Sequence, residues 1–88
     1  MDKNQLEKIL KALANRRRLA ILAHLKTAGE MMVGDVARNM RLSFAATSRH
    51  LVILERSGIL EKEQRDKEVF YRLASPSRAF LGVLFFEL

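Results

Sequence analysis

Leu42-Ser43-Phe44-Ala45-Ala46-Thr47-Ser48-Arg49-His50-Leu51-Val52-Ile53-Leu54-Glu55-Arg56-Ser57-Gly58-Ile59-Leu60 is the stretch whose reading decides the fold. Ser43 is a capping residue whose hydroxyl can accept from the backbone N–H groups of a helix's first turn. Ala46, Thr47, Leu51 and Leu54 follow on one side at helical spacing, and Gly58 closes the segment. Phe44, Ala45, Ser48, Arg49 and Val52 fall on the other side. Such a helix presses one face into a core and turns a cationic, short-chained face toward DNA base edges, which is the geometry of a recognition helix.

Upstream, three shorter patterns lead into it. Leu6, Ile9, Leu10 and Leu13 sit at i, i+3, i+4 and i+7, the apolar stripe of a first helix. Asn15 can cap a second, which carries Leu19, Ile21, Leu22 and Leu25 and ends near Ala28-Gly29. A third spans about Val33 to Met40, with Val36, Ala37 and Met40 inward. Downstream of Gly58 the period changes to that of strands. Leu60-Glu61-Lys62-Glu63-Gln64 and Val69-Phe70-Tyr71-Arg72-Leu73 read as a hairpin about Arg65-Asp66-Lys67-Glu68. Its first strand is almost wholly charged, as an arm facing solvent would be. Pro76 starts a last helix with Phe80, Leu81, Leu84, Phe85 and Leu88 apolar. The expected fold is mainly α with a small β-hairpin, in the order helix, helix, helix, helix, hairpin, helix. That is a winged helix-turn-helix, read as one domain over residues 1–88.

Composition narrows the partners. Sixteen Lys and Arg against ten Asp and Glu leave a net charge of +6 on 88 residues, which favours an anionic partner, nucleic acid or an acidic membrane. A membrane partner is the poorer choice. The apolar run from Phe80 to Phe86 is too short to span a bilayer and lacks the basic face of an interfacial helix. Cysteine is absent, so disulfides, thiolate metal sites and thiol redox switches are excluded. The polar start, Met1-Asp2-Lys3-Asn4-Gln5, shows no secretory signal, and a cytoplasmic protein is expected. No Ser-His-Asp or Cys-His set, phosphate loop or metal cluster is visible, so the sequence reads as no enzyme, with no cofactor. His24 and His50 stand on different helices, without evident carboxylate geometry.

The separated segments Leu13-Ala14-Asn15-Arg16-Arg17-Arg18-Leu19-Ala20-Ile21-Leu22, Leu42-Ser43, Ser48-Arg49-His50-Leu51 with Leu54 and Gly58-Ile59, and Tyr71-Arg72-Leu73 resemble the ArsR/SmtB repressors, in order and spacing, over residues 6 to 75. The resemblance implies a homodimeric transcription regulator that binds an inverted-repeat operator, with first and last helices at the dimer interface. Leu6, Ile9, Leu10, Leu13, Phe80, Leu81, Leu84 and Phe85 are then the interface candidates. Departures accompany the match. The metal-sensing branch carries Glu-Leu-Cys-Val-Cys-Asp-Leu where this chain has Glu30-Met31-Met32-Val33-Gly34-Asp35-Val36, so Met32 and Gly34 replace both thiolates. Ser77 to Leu88 has neither the Asp nor the His of a second metal site. No metal is therefore expected, and no residue set singles out a small-molecule effector. The family often has glycine where Arg41 stands, which predicts a positive φ at or next to Arg41. It often has glutamine where Phe44 stands. Phenylalanine can pack on thymine methyl groups or fold back on the third helix, and the sequence leaves both open.

The candidate DNA contacts are Arg41, Ser43, Phe44, Thr47, Ser48, Arg49, His50, Arg65 and Lys67. Ser43 and Thr47 are hydroxyls near a helix N-terminus, where free N–H groups suit a phosphate. Arg49 carries the fork that reads guanine. His50, beside the core stripe, suits a phosphate or a structural hydrogen bond. Arg65 and Lys67 sit at the hairpin tip, within reach of a minor groove or its phosphates. Arg16-Arg17-Arg18 oppose the dipole of the helix they begin, so an anion nearby is expected. Arg18 is read as pairing with an internal carboxylate, and Arg16 and Arg17 as solvated or on phosphate. The rival reading is a winged-helix protein-interaction module that does not bind DNA.

Overall fold

The computed structural model describes residues 1–75 together with Ser77 and Leu81. Helix α1 (Lys3–Leu13) leads into α2 (Arg16–Ala28), strand β1 (Glu30–Met32), α3 (Val33–Met40), α4 (Phe44–Arg56) and the hairpin β2 (Leu60–Arg65) and β3 (Glu68–Leu73). Asn15 caps α2, its side chain accepting from the Arg18 N–H, and Gly29 ends the helix at φ 87°, a left-handed position that favours glycine. Ser57, Ile59 and Leu60 are buried where the chain leaves α4 for the wing.

The core gathers one face from every element. Ile21, Leu22 and Leu25 of α2, Val36 of α3, and Leu51 and Leu54 of α4 are essentially inaccessible, and Tyr71 and Leu73 of β3 close it from the sheet side. Full burial of a Leu or Ile side chain stabilises by about 1.5–3 kcal/mol, so this cluster outweighs any surface contact in fixing how α3 and α4 cross. Between them the chain turns in three residues. Arg41 takes φ 54° and ψ 42°, as its replacement of a customary glycine predicts, and the Arg41 and Leu42 N–H groups donate to the last carbonyls of α3.

The sheet differs from the expected hairpin by one strand. Its order is β1-β3-β2, antiparallel throughout, with Met31 opposite Tyr71 and Lys62 opposite Tyr71 from the other side. Three residues are too few to show a strand period, so β1 forms because β3 offers it a free edge. The hairpin is tighter than expected. Arg65 pairs with Glu68, leaving Asp66 and Lys67 as the turn, with Asp66 at φ 57°. Alternation then explains the charged strand. Leu60 faces the core, while Glu61, Glu63 and Arg65 share the outer face with Phe70 and Arg72.

The expected last helix lies mostly outside the described residues, including Pro76, Phe80, Leu84 and Phe85. Ser75, Ser77 and Leu81 are helical. Four helices, a three-stranded wing and the tight α3–α4 turn make this a winged helix-turn-helix.

Candidate nucleic-acid interface

Helix α4 is seated by its first turn and its apolar stripe. The Ser43 hydroxyl accepts from the Ala46 N–H at 3.0 Å, while Leu51 and Leu54 are wholly buried. With about 3.6 residues per turn, Ala45, Arg49 and Arg56 fall opposite that stripe, and all three are exposed. Phe44 is 63% exposed, so it does not fold back on α3. Neither the wing nor α1 covers this face. The side chains of Arg49 and Arg41 make no hydrogen bond or ion pair with any described residue.

A second group of cations meets α4 where α2 begins. Arg18 Nε donates to the Ala12 carbonyl at 2.6 Å and Nη2 to the Lys11 carbonyl at 3.4 Å, while Nη1 lies 3.3 Å from His50 Nδ1. Burial, reinforced by Arg18, Arg17 and Arg49, pushes the His50 imidazolium below its ordinary range. On the wing the cations are already engaged. Arg65 forms a two-pronged bond to Glu30 at 2.8 Å, another to Glu63 at 3.1 Å, and stacks on Phe70. Arg72 donates to Glu61 and Glu63. Those guanidiniums hold the Glu63 carboxyl down at about 2, and Arg65 lowers Glu30 as well.

A family model for a helix-turn-helix domain matches residues 13–63. The chain is 40% identical over 77 residues to the transcriptional activator HlyU of Vibrio cholerae, covering 85% of this chain and 70% of that one. The solved HlyU structure superposes with a TM-score of 0.82 at 37% identity, over 96% of this chain and 94% of that one. The biofilm growth-associated repressor of Xylella fastidiosa is 32% identical over 78 residues, covering 89% and 68%. A Mycobacterium bovis structure, described as a homodimeric winged helix-turn-helix DNA-binding domain of a possible ArsR-family regulator, matches at a TM-score of 0.83 and 33% identity, over 92% and 74%. The chain belongs to the ArsR-type winged helix-turn-helix transcriptional regulators. Members of this family are regulators of transcription, not enzymes.

Within this ArsR-type regulator the structure sorts the expected site residues. It brings Arg41, Ser43, Phe44, Ser48, Arg49 and His50 together along α4 and its entering turn, and leaves Lys67 exposed at the wing tip. Thr47 is a correction. Its side chain is 0% exposed and its hydroxyl donates to the Ser43 carbonyl at 2.8 Å, so it belongs to the core and cannot reach a duplex. Arg65 is a partial correction, because its fork is already filled by two carboxylates. Arg18 finds no carboxylate among the described residues. The free carbonyls at the end of α1, the negative pole of that helix, take its place. Of the interface candidates, Leu6 and Leu10 are exposed at 47% and 51%, and Ile9 is half-buried. Leu13 and Leu81 are buried at 8% and 1% within the chain itself, so they serve its core and not a partner. Phe80, Leu84 and Phe85 lie outside the described residues. Sequence reasoning missed Glu30 as the anchor of the wing, because nothing local ties it to Arg65. Among the described residues no group of His, Asp or Glu could hold a metal, and no helix is long and apolar enough to cross a membrane.

Proposed function

We propose that the chain is one domain of a homodimeric repressor that binds an inverted-repeat operator. Each protomer lays α4 in a major groove, the two copies about 34 Å apart. The observation that carries this reading is the open face of α4, with an unpaired Arg49 opposite the fully buried Leu51 and Leu54. Arg49 reads guanine, Phe44 packs on thymine methyls, and Arg41, Ser43, Ser48, His50 and Lys67 take phosphates or base edges. The exposed Leu6 and Leu10 of α1 support pairing of two copies, as does the homodimeric M. bovis domain. Repression then needs only occupancy of promoter DNA. The protein-interaction reading is not favoured, since the relatives are named as regulators of transcription.

Titration of promoter duplexes at several salt concentrations tests this. Wild type binds one site selectively and with a steep salt dependence. Arg49→Ala loses about 1–3 kcal/mol of discrimination while keeping salt-steep, unselective binding. Unchanged selectivity removes Arg49 from the reading role. Sedimentation gives a dimer for wild type and a monomer for the Leu6→Glu/Leu10→Glu variant; a monomeric wild type at binding concentrations overturns the paired arrangement.

A further inference from the structure

Arg65 ends β2 beside the Asp66–Lys67 turn, at the tip of the hairpin. Its guanidinium does not extend from that tip. It folds back over the Phe70 ring, 4.5 Å from the centroid, and crosses β3 to Glu30 on β1. Nη1 and Nη2 donate to the two Glu30 oxygens, each at 2.8 Å. Nε and Nη2 donate to the two Glu63 oxygens, each at 3.1 Å. Every nitrogen of the fork is thus engaged by a carboxylate. Surface ion pairs are usually weak, since water screens them and two long side chains must be fixed. This one is two-pronged on both carboxylates and has an aromatic face beneath it, an arrangement that holds a guanidinium in one place. Glu63 has Arg72 as a second partner at 2.7 Å. Among the described residues, Arg65 is the one cation in ion-pair contact with Glu30. Three carboxylates, Glu30, Glu61 and Glu63, meet two guanidiniums, Arg65 and Arg72, so this network holds no spare positive charge.

We propose that Glu30 is an internal competitor of DNA phosphate: it occupies the Arg65 fork, so the wing tip meets a duplex without that cation. The proposal rests on the DNA-binding reading and adds to it a positioning residue that restrains binding, carried by β1. A carboxylate and a phosphate offer a guanidinium the same two-pronged geometry. A phosphate therefore gains Arg65 only by displacing Glu30. The freed carboxylate then takes up a solvent cation in place of the one the phosphate releases, and the salt dependence of binding gains nothing. Neutralising Glu30 changes this. Glu61 and Glu63 then balance Arg65 and Arg72, Glu63 still has Arg72, and the Nη1–Nη2 edge of Arg65 is free for a phosphate.

The test is the salt dependence of binding to a fluorescent mixed-sequence duplex, for the full chain and its variants, with circular dichroism confirming the fold of each. Glu30→Gln should bind more tightly, by up to about tenfold at ~0.1 M salt, with a salt slope steeper by about one per protomer. Such a gain cannot come from a damaged wing; if Glu30 did no more than brace the hairpin, the same variant would bind more weakly. Arg65→Gln alone should keep the wild-type slope, because its cation is already withheld. Glu30→Gln/Arg65→Gln should lose the gain. Glu68→Gln removes the same charge from β3 opposite Arg65, where no ion pair with a described residue is formed, and should gain less than Glu30→Gln. Unchanged or weaker binding by Glu30→Gln, a shallower slope in Arg65→Gln, or an equal gain in Glu68→Gln overturns the proposal. Each of these leaves the DNA-binding reading standing, since wild type still binds. A wild type that does not bind the duplex at low salt overturns both.

Discussion

Replacing Arg41 isolates what the turn between α3 and α4 costs. Its backbone sits at φ 54° and ψ 42°, and its side chain is exposed without a hydrogen bond to any described residue. The left-handed conformation costs a non-glycine residue about 1–2 kcal/mol. Glycine loses about 0.5–1 kcal/mol more chain entropy on folding than alanine does. The balance leaves Arg41→Gly more stable than Arg41→Ala by roughly 0.5–1 kcal/mol. Both variants lose the same cation, so their difference reports the backbone alone. At about 4–8 °C per kcal/mol for a domain of this size, the expected gap in Tm is roughly 2–8 °C. Thermal and urea unfolding at matched protein concentration measure it, since dimerisation makes Tm concentration-dependent. A glycine variant no more stable than the alanine variant would refute the argument that the entry to α4 is set by a strained residue.

Two further outcomes follow from the geometry. The Glu63 carboxyl titrates at about 2 when folded, against about 4.3 for an unperturbed glutamate. The unfolded chain thus takes up this proton first, and the stability the Arg65 and Arg72 contacts contribute is complete above pH ~4.3 and lost as pH falls toward ~2. In a plot of Tm against pH, wild type and Glu63→Gln should differ at neutrality and converge across that window; a constant offset counts against any contribution of the Arg65 and Arg72 contacts to Glu63. Thr47→Val should destabilise by about 1 kcal/mol, the net value of a buried hydrogen bond, without changing duplex affinity of the folded protein; a selective loss of affinity would return Thr47 to the interface.

Periodicity located the helices and the side of α4 that enters the core, because burial of leucine at helical spacing is what seats a helix. It was a poorer guide to what covers an apolar face. The stripe of α1 contains Leu13, which serves the chain's own core, and Leu6 and Leu10, which remain open. Spacing treats the three alike, since the difference comes from which neighbours the topology supplies. Thr47 showed two principles in conflict. Its hydroxyl near a helix start pointed to phosphate, its place on the stripe pointed inward, and burial prevailed with the hydroxyl satisfied one turn back. Arg18 and Arg65 failed for a different reason. Arg18 is held by main-chain carbonyls, which no side-chain pattern encodes, while Arg65 takes a glutamate 35 residues away together with Glu63 two residues back on its own strand, and only the second of these is a local pattern.

The net charge of +6 is unevenly placed, and that placement bears on how the molecule would hold DNA. On the wing, Glu30, Glu61 and Glu63 already neutralise Arg65 and Arg72, leaving Lys67 as the unpaired cation at the tip. On the helical side, Arg16, Arg17, Arg49 and Arg56 pair with no carboxylate of a described residue. Counterions condensed on a duplex are released by cations not already occupied within the protein. On the proposed DNA-binding reading, the electrostatic grip would therefore come from the start of α2 and the outer face of α4. The carboxylate ladder serves instead to brace the wing against β1. Those pairs leave little of the wing's positive charge free for a duplex.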